Sequence, residues 1–547
     1  MHRLERAGGV RRRHQLLGAA VIVAALWVPG LLSAQHDHPE QEGGAAAEMP
    51  LLTKVTGPFT RPITTSSPAA QAYFDQGMQM VYAFTYSVAI RSFQEAQRQD
   101  PNCAMCYWGE ALARGPFLNS GMSEANAAPA YAAARKAVEL LDENATSAER
   151  GLIQAMSVRY SEQHNPDTRA AMDSAYSQAM AEVYRAHPDD LDVATLYAES
   201  IMLLDPVRAQ YRLSNPFVQS FHRVLEGVLA RDITHPGACH LYIHATEATE
   251  EPGKAEACAD HLGSAIPGAS HINHMPSHTY NRIGRWASAV RANLDAWHSD
   301  QRVEYDEGVS YAGTHNLHML FFAAAMDGQG AVAALAAEEY AKQVSGGVFY
   351  HAMTLLRFGR FEAILELDEA PEQDLQRGLW DFSRGYAHLR TGSRDSAEYY
   401  LARVEEAAVT IPEDVVMRGH TAAQLLGITG RILRGELLRD AGDLEGAIAV
   451  FEEAVEIHDN LRYDEPEPLN FSARHWLGAA LLEAGRAADA EEVYRVNLVQ
   501  HPHNGWSLYG LEEALRAQGR NAEADEVHQQ FREAWARADT LIRSSRF

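Results

Sequence analysis

The chain is 547 residues long and 46% hydrophobic, too long for one compact core and apolar enough to bury several, which excludes a wholly disordered chain and points to several domains or a repeat array. Its 47 basic against 73 acidic residues give a formal net charge of -26. Such a surface repels phosphate backbones rather than releasing their counterions, so no nucleic-acid partner is expected.

Residues 1–34 read as an export signal peptide. Arg3, Arg6, Arg11, Arg12 and Arg13 precede an apolar stretch from Leu16 to Leu32, and Leu32-Ser33-Ala34 offers small residues for cleavage after Ala34. The stretch is long enough to serve as an uncleaved anchor, but Pro29-Gly30 near its end favours removal. No later stretch approaches the ~18 apolar residues of a membrane span. A periplasmic or secreted location is therefore expected, with no membrane span after signal removal. Residues 35–67, rich in Gly, Pro, Ala and Thr without helical periodicity, read as a flexible linker; its His36 and His38 either belong to a solvated tail or help an exposed N-terminus hold a metal.

From Pro68 onward, Ala-rich amphipathic helices alternate with short turns and no stretch alternates with period two, so the fold class is all-α. Residues 68–235 form a first block of helices, 236–345 a His-rich block and 346–547 a third. In the first, Cys103 and Cys106 form a CxxC followed by Tyr107, not the His of c-type haem attachment. No βαβ context supports thioredoxin-like chemistry, which leaves a local disulfide or two buried thiols. Cys239 and Cys258 lie on consecutive helices and can staple one hairpin.

Short turns serve as rulers. Gly485 and Gly519 stand 34 residues apart; around Gly485 run Trp476-Leu477-Gly478, Leu481, Ala490, Tyr494 and Pro502. The same offsets recur as Ala447 and Phe451 after Gly442, Ala524 after Gly519, Ala397 after Gly392, Ala289 after Gly284, Ala333 after Gly328, and as Ala89, Phe93 and Pro101 near the start. At these residues the chain resembles the tetratricopeptide repeat (TPR) family, of the bacterial exported type, over most of Pro68 to Phe547. The resemblance implies a right-handed superhelical solenoid of helix hairpins whose first helices line a concave groove. Turn spacing stretches from Gly284 to Gly328 and from Gly442 to Gly485, so insertions interrupt the repeats.

Ten of the 25 histidines fall between His235 and His318. His271, His274 and His278 stand thirteen, ten and six residues before Gly284; His240, His244 and Glu247 stand ten, six and three before Glu250; His315 and His318 stand thirteen and ten before Gly328. Three consecutive first helices thus present imidazoles at equivalent positions. Neighbouring helices pack about 8–10 Å apart, so these side chains reach a common metal, one ion or two. Imidazole-rich sets suit copper, zinc, iron or nickel, and outside the cytoplasm copper or zinc lead. The competing reading is a polar, hydrogen-bonded groove. Glu247 is a candidate ligand or catalytic base; no HExxH, GxSxG or phosphate-binding motif names a reaction. His235, His261 and His298 read as structural. Phe349, Phe382 and Tyr386 continue the groove as aromatics suited to a peptide, protein or small-molecule ligand, or only fill gaps between hairpins. Two functions remain: a metal-binding solenoid with metal-dependent catalysis open, or a peptide- or protein-binding scaffold.

Overall fold

A computed structural model describes residues 49–205 and 211–547. The export-signal reading of residues 1–34, and His36 and His38, lie outside the described residues. The fold is an all-α solenoid of TPR-like hairpins, of which Pro68–Tyr82 with Tyr86–Gln99, Ala422–Asp440 with Leu444–Asp459 and Arg474–Glu483 with Ala487–Gln500 are examples. The ruler glycines at 284, 328, 359, 392, 442, 485 and 519 all have positive φ, the left-handed geometry that ends one helix and reverses the chain into the next. The aromatic offset has an equally local cause. The Tyr494 ring lies between two helices at Gly478 and Gly510, where an added Cβ would sit 2.4 and 2.2 Å from it. Among the described residues no helix is long and apolar enough to cross a membrane.

Three departures from the sequence reading position the site. The flexible linker expected over 35–67 is, from Met49 onward, an ordered extended segment. Met49, Leu52 and Val55 are buried, Gln76 accepts from the Leu52 N–H at 2.7 Å, and the Gly268 N–H donates to the Val55 carbonyl at 3.0 Å. Arg61 is held by Asp190 and Asp192, each at 2.8 Å. Apolar residues three apart and buried glutamines on the first helix satisfy a backbone that has no helical period. Pro276 divides the expected first helix of the central hairpin into Ser270–His274 and Pro276–Ile283, because proline has no N–H for the helical ladder. A small antiparallel hairpin, Val416–Met417 with His420–Thr421, interrupts the otherwise helical chain.

The superhelix folds back on itself. The indole N–H groups of Trp286 and Trp506 donate to the carbonyls of Pro502 and Ala325, each at 2.9 Å. Arg537 pairs with Asp327 at 2.8 Å, and Asp539 accepts from the N–H groups of Gly330 and Ala331. Disulfides join Cys103 to Cys106 and Cys239 to Cys258, the latter stapling consecutive helices as the sequence allows.

Candidate metal centre

His240 and His244 come from the helix Pro236–Thr246, His271 and His274 from Ser270–His274, His278 from Pro276–Ile283 and His315 from Gly313–Met326. Their 3- and 4-residue spacings put each set on one helical face, and consecutive hairpins bring the faces together. All six are between 0 and 6% exposed. They form two triads, His240/His244/His271 and His274/His278/His315, in each of which one ring nitrogen per residue lies within 4.8 Å of the others. The triads adjoin: ring centroids are 5.8 Å apart for both His271–His274 and His244–His278.

The hydrogen bonds behind the rings fix which nitrogen faces inward. Asn293 donates through Nδ2 to the Ala289 carbonyl, so its Oδ1 must accept, and it does so from His274 Nδ1 at 2.8 Å. His240 Nδ1 donates to the Tyr82 carbonyl at 2.6 Å. His244 Nδ1 donates to Glu247 Oε1 at 2.8 Å and His278 Nδ1 to Glu247 Oε2, and Glu465 Oε2 pairs in charge with His278 Nδ1 at 2.9 Å. With Nδ1 carrying the proton, His240, His244, His274 and His278, when neutral, each turn a bare Nε2 inward. Yet His278 Nε2 and His274 Nε2 are 2.7 Å apart, and His271 Nε2 and His240 Nε2 3.1 Å. Two lone pairs at 2.7 Å repel unless one of the nitrogens carries a proton or a cation beside them accepts both, and at 3.1 Å His271 Nε2 can itself donate to His240. His244 Nε2 is buried with no hydrogen-bond partner.

The electrostatics agree. Burial opposes charge on His278, but Glu247 and Glu465 raise it to about 10. His240, buried beside His244, is pushed well below the usual histidine range. Burial works against ionisation of Glu247, yet His278 and His244 hold it well below the usual carboxylate range. Burial and the neighbouring Glu247 raise Glu465 to about 7. A cavity of about 10 Å³ touches His240, lined also by Tyr82, Phe84, Thr195 and Glu199, with room for one water-sized molecule.

Six of the seven expected histidine ligands are thus brought together and His318 is not. Its ring packs on Phe321 at 4.8 Å and Tyr350 at 4.5 Å, because the next hairpin supplies aromatics where the row of imidazoles would continue. Burial, then Arg418, pushes it well below the usual histidine range. Glu247 stands behind the imidazoles, its oxygens accepting from the Nδ1 groups of His244 and His278, and with His244 and Glu465 it makes a third group of ligand-type atoms within 4.8 Å of one another. Phe349, Phe382 and Tyr386 are 3%, 0% and 0% exposed and line no open groove. Trp476 donates to the Tyr386 hydroxyl, and Phe547 packs edge-on against the Tyr386 ring. The segment around it fills the interior of the last repeats: Arg357 donates to the carbonyls of Ser545 and Arg546, and Arg546 pairs with Glu436 at 3.0 Å. His235 caps its helix and bonds Asp192.

Sequence reasoning missed Glu465 and Tyr463, whose hydroxyl donates to Glu247 at 3.3 Å, together with Asn293. The one sequence signal for the first two is the stretched Gly442-to-Gly485 spacing, inside which lies the acidic, proline-broken run Tyr463-Asp464-Glu465-Pro466-Glu467. Phe84, at φ 55°, covers the first triad with its ring 4.2 Å from His240.

No protein-family model and no curated protein matches the chain. Among solved structures it aligns with a human IFIT1 dimer with m7Gppp-AAAA, over 86% of this chain and 91% of that one at 12% identity and a TM-score of 0.28. It also aligns with Naa15/Naa10 bound to HypK-THB, over 85% of this chain and 70% of that one at 14% identity and a TM-score of 0.23.

Proposed function

We propose that this is an exported TPR-like solenoid that holds two transition-metal ions, copper or zinc before iron, one at each histidine triad. The carrying observation is the opposed Nε2 atoms of His278 and His274 at 2.7 Å, behind both of which Nδ1 is committed to an acceptor. A polar groove without metal would leave such lone pairs in conflict or bridged by protons, whereas ions accept all of them. Three imidazoles per ion leave a coordination position open, the arrangement of catalytic rather than closed sites, and two adjoining ions can act on one reactant. The small cavity beside His240 limits that reactant, in the closed chain, to something near the size of water. Both disulfides support an oxidising compartment and so the export reading. The scaffold reading is weakened by the segment that already fills the interior of the last repeats.

The test is metal content by plasma mass spectrometry on chain purified without a His-tag. Two equivalents of copper or zinc are expected, with loss of at least one in the His274→Ala/His278→Ala variant at unchanged helical circular dichroism. A chain that arrives empty and refuses added metal, or a variant that keeps its full complement, sinks the reading.

A further inference from the structure

We propose that the two ion positions are inequivalent, and that Glu465, delivered by a clamp centred on Arg418, is what makes them so by tightening the His274/His278/His315 position. This rests on the two-ion reading and goes beyond it.

The outer hydrogen bonds of the two triads differ in charge. His240 leans on a backbone carbonyl and His274 on a neutral amide, and Glu247 gives one oxygen to each triad. Glu465 adds a second carboxylate in direct ion-pair contact with the second triad, 2.9 Å from His278 Nδ1, while from the His244 ring of the first triad it stands off at up to 4.8 Å. A carboxylate behind a ligating imidazole raises the basicity of the inward nitrogen and adds negative charge near the ion, so the second position gains affinity for a divalent cation over the first.

Glu465 is not on a repeat helix and cannot be held by helical geometry. It lies in the connection between the helices Leu444–Asp459 and Arg474–Glu483. Arg418, at the turn of the small β-hairpin, fixes that connection: Nε and Nη2 donate to the two oxygens of Asp464, both at 2.7 Å, and Nη2 also to the carbonyls of Glu465 at 2.7 Å and Pro466 at 3.2 Å. Asp464 in turn accepts from the Glu465 N–H at 2.9 Å. The planar guanidinium therefore sets the position and tilt of the peptide that carries Glu465, which a flexible ammonium cannot do. Arg418 itself is the apex of a turn, at φ 52°, with Arg462 donating to its carbonyl. Arg418 is a positioning residue, acting on the ion only through Glu465.

The test is titration of the full-length, metal-stripped chain with Co²⁺, followed by its visible absorption and by calorimetry. Wild type is expected to take two ions in separable steps. Glu465→Gln, which keeps the clamp, and Arg418→Gln, which removes it, are each expected to weaken one step about 10- to 100-fold, leave the other unchanged and keep the circular dichroism. Arg418→Lys is expected to recover only part of the loss. The inference is overturned if Glu465→Gln binds both ions as wild type does, or if it loses both equally. A wild-type chain that takes no Co²⁺, Zn²⁺ or copper overturns the metal reading itself, which is a different outcome from a wild type with two ions and a silent Glu465→Gln.

Discussion

Glu247→Gln is the most informative single substitution, because Glu247 is 1% exposed and is shared by both triads. The carboxylate accepts from the Nδ1 groups of His244 and His278 and from the Tyr463 hydroxyl. An amide of the same shape keeps one accepting oxygen and turns an NH₂ toward the other imidazole. That imidazole must then accept at Nδ1 and move its proton to Nε2, which withdraws it as a ligand. Two charge-assisted hydrogen bonds at roughly 1.5–3 kcal/mol each become one neutral bond, so the metal-free variant is expected to lose about 2–4 kcal/mol in urea unfolding. Metal affinity should fall about 10- to 100-fold or more at the triad whose histidine flips. Dialysis against graded chelator followed by plasma mass spectrometry reads the affinity. A folded Glu247→Gln that retains two ions under the same chelator as wild type refutes the proposed tautomer assignment.

Two further expectations concern the rest of the chain. His420 is 0% exposed, neither ring nitrogen has a hydrogen-bond partner, and burial lowers it to about 4 against an ordinary value of 6.5. The unfolded chain thus binds the proton more readily than the folded one between those values, so this contribution is complete above pH 6.5 and is lost as the pH falls toward 4, by about 2–3 kcal/mol. His420→Leu should flatten the fall of the melting temperature across that window, and an unchanged slope refutes the account. Arg546→Ala leaves Glu436, 0% exposed, with only Arg439 as a charged partner, and should cost about 2–4 kcal/mol in urea unfolding; a cost below about 0.5 kcal/mol would mean that the segment around it is not held as described.

The fold was legible because its determinants are local. Each ruler glycine ends a helix by its own backbone geometry, and each aromatic such as Tyr494 needs small residues at fixed offsets. Six histidines were legible for the same reason, since equal distances from successive turns put side chains on one face. His318 has that spacing too, but its fate depends on the next hairpin, which offers Tyr350 instead of an imidazole. Glu465 and Tyr463 escaped because they reach the centre from an insertion, Tyr463 standing 216 residues from the Glu247 it binds, and no periodicity encodes such a contact. Phe382 and Tyr386 read from the sequence either as groove lining or as rings filling gaps between hairpins; they fill gaps, and the packing of Phe547 on Tyr386 is a contact no repeat offset encodes.

The fold-back contacts change how this array is expected to come apart. An open row of repeats touches only nearest neighbours, so it can fray from either end while its middle stays folded. Here the contacts from Trp506 to Ala325, from Arg537 to Asp327 and from Trp286 to Pro502 span 181, 210 and 216 residues. The last repeats cannot peel away without also uncovering the middle ones, so fraying at that end becomes cooperative. In folding, the same contacts must wait until the intervening helices have stacked, because closing so long a loop has a large entropic cost before any contact rewards it. These long-range contacts are therefore expected late in folding, and with them the approach of Glu465 to the histidines.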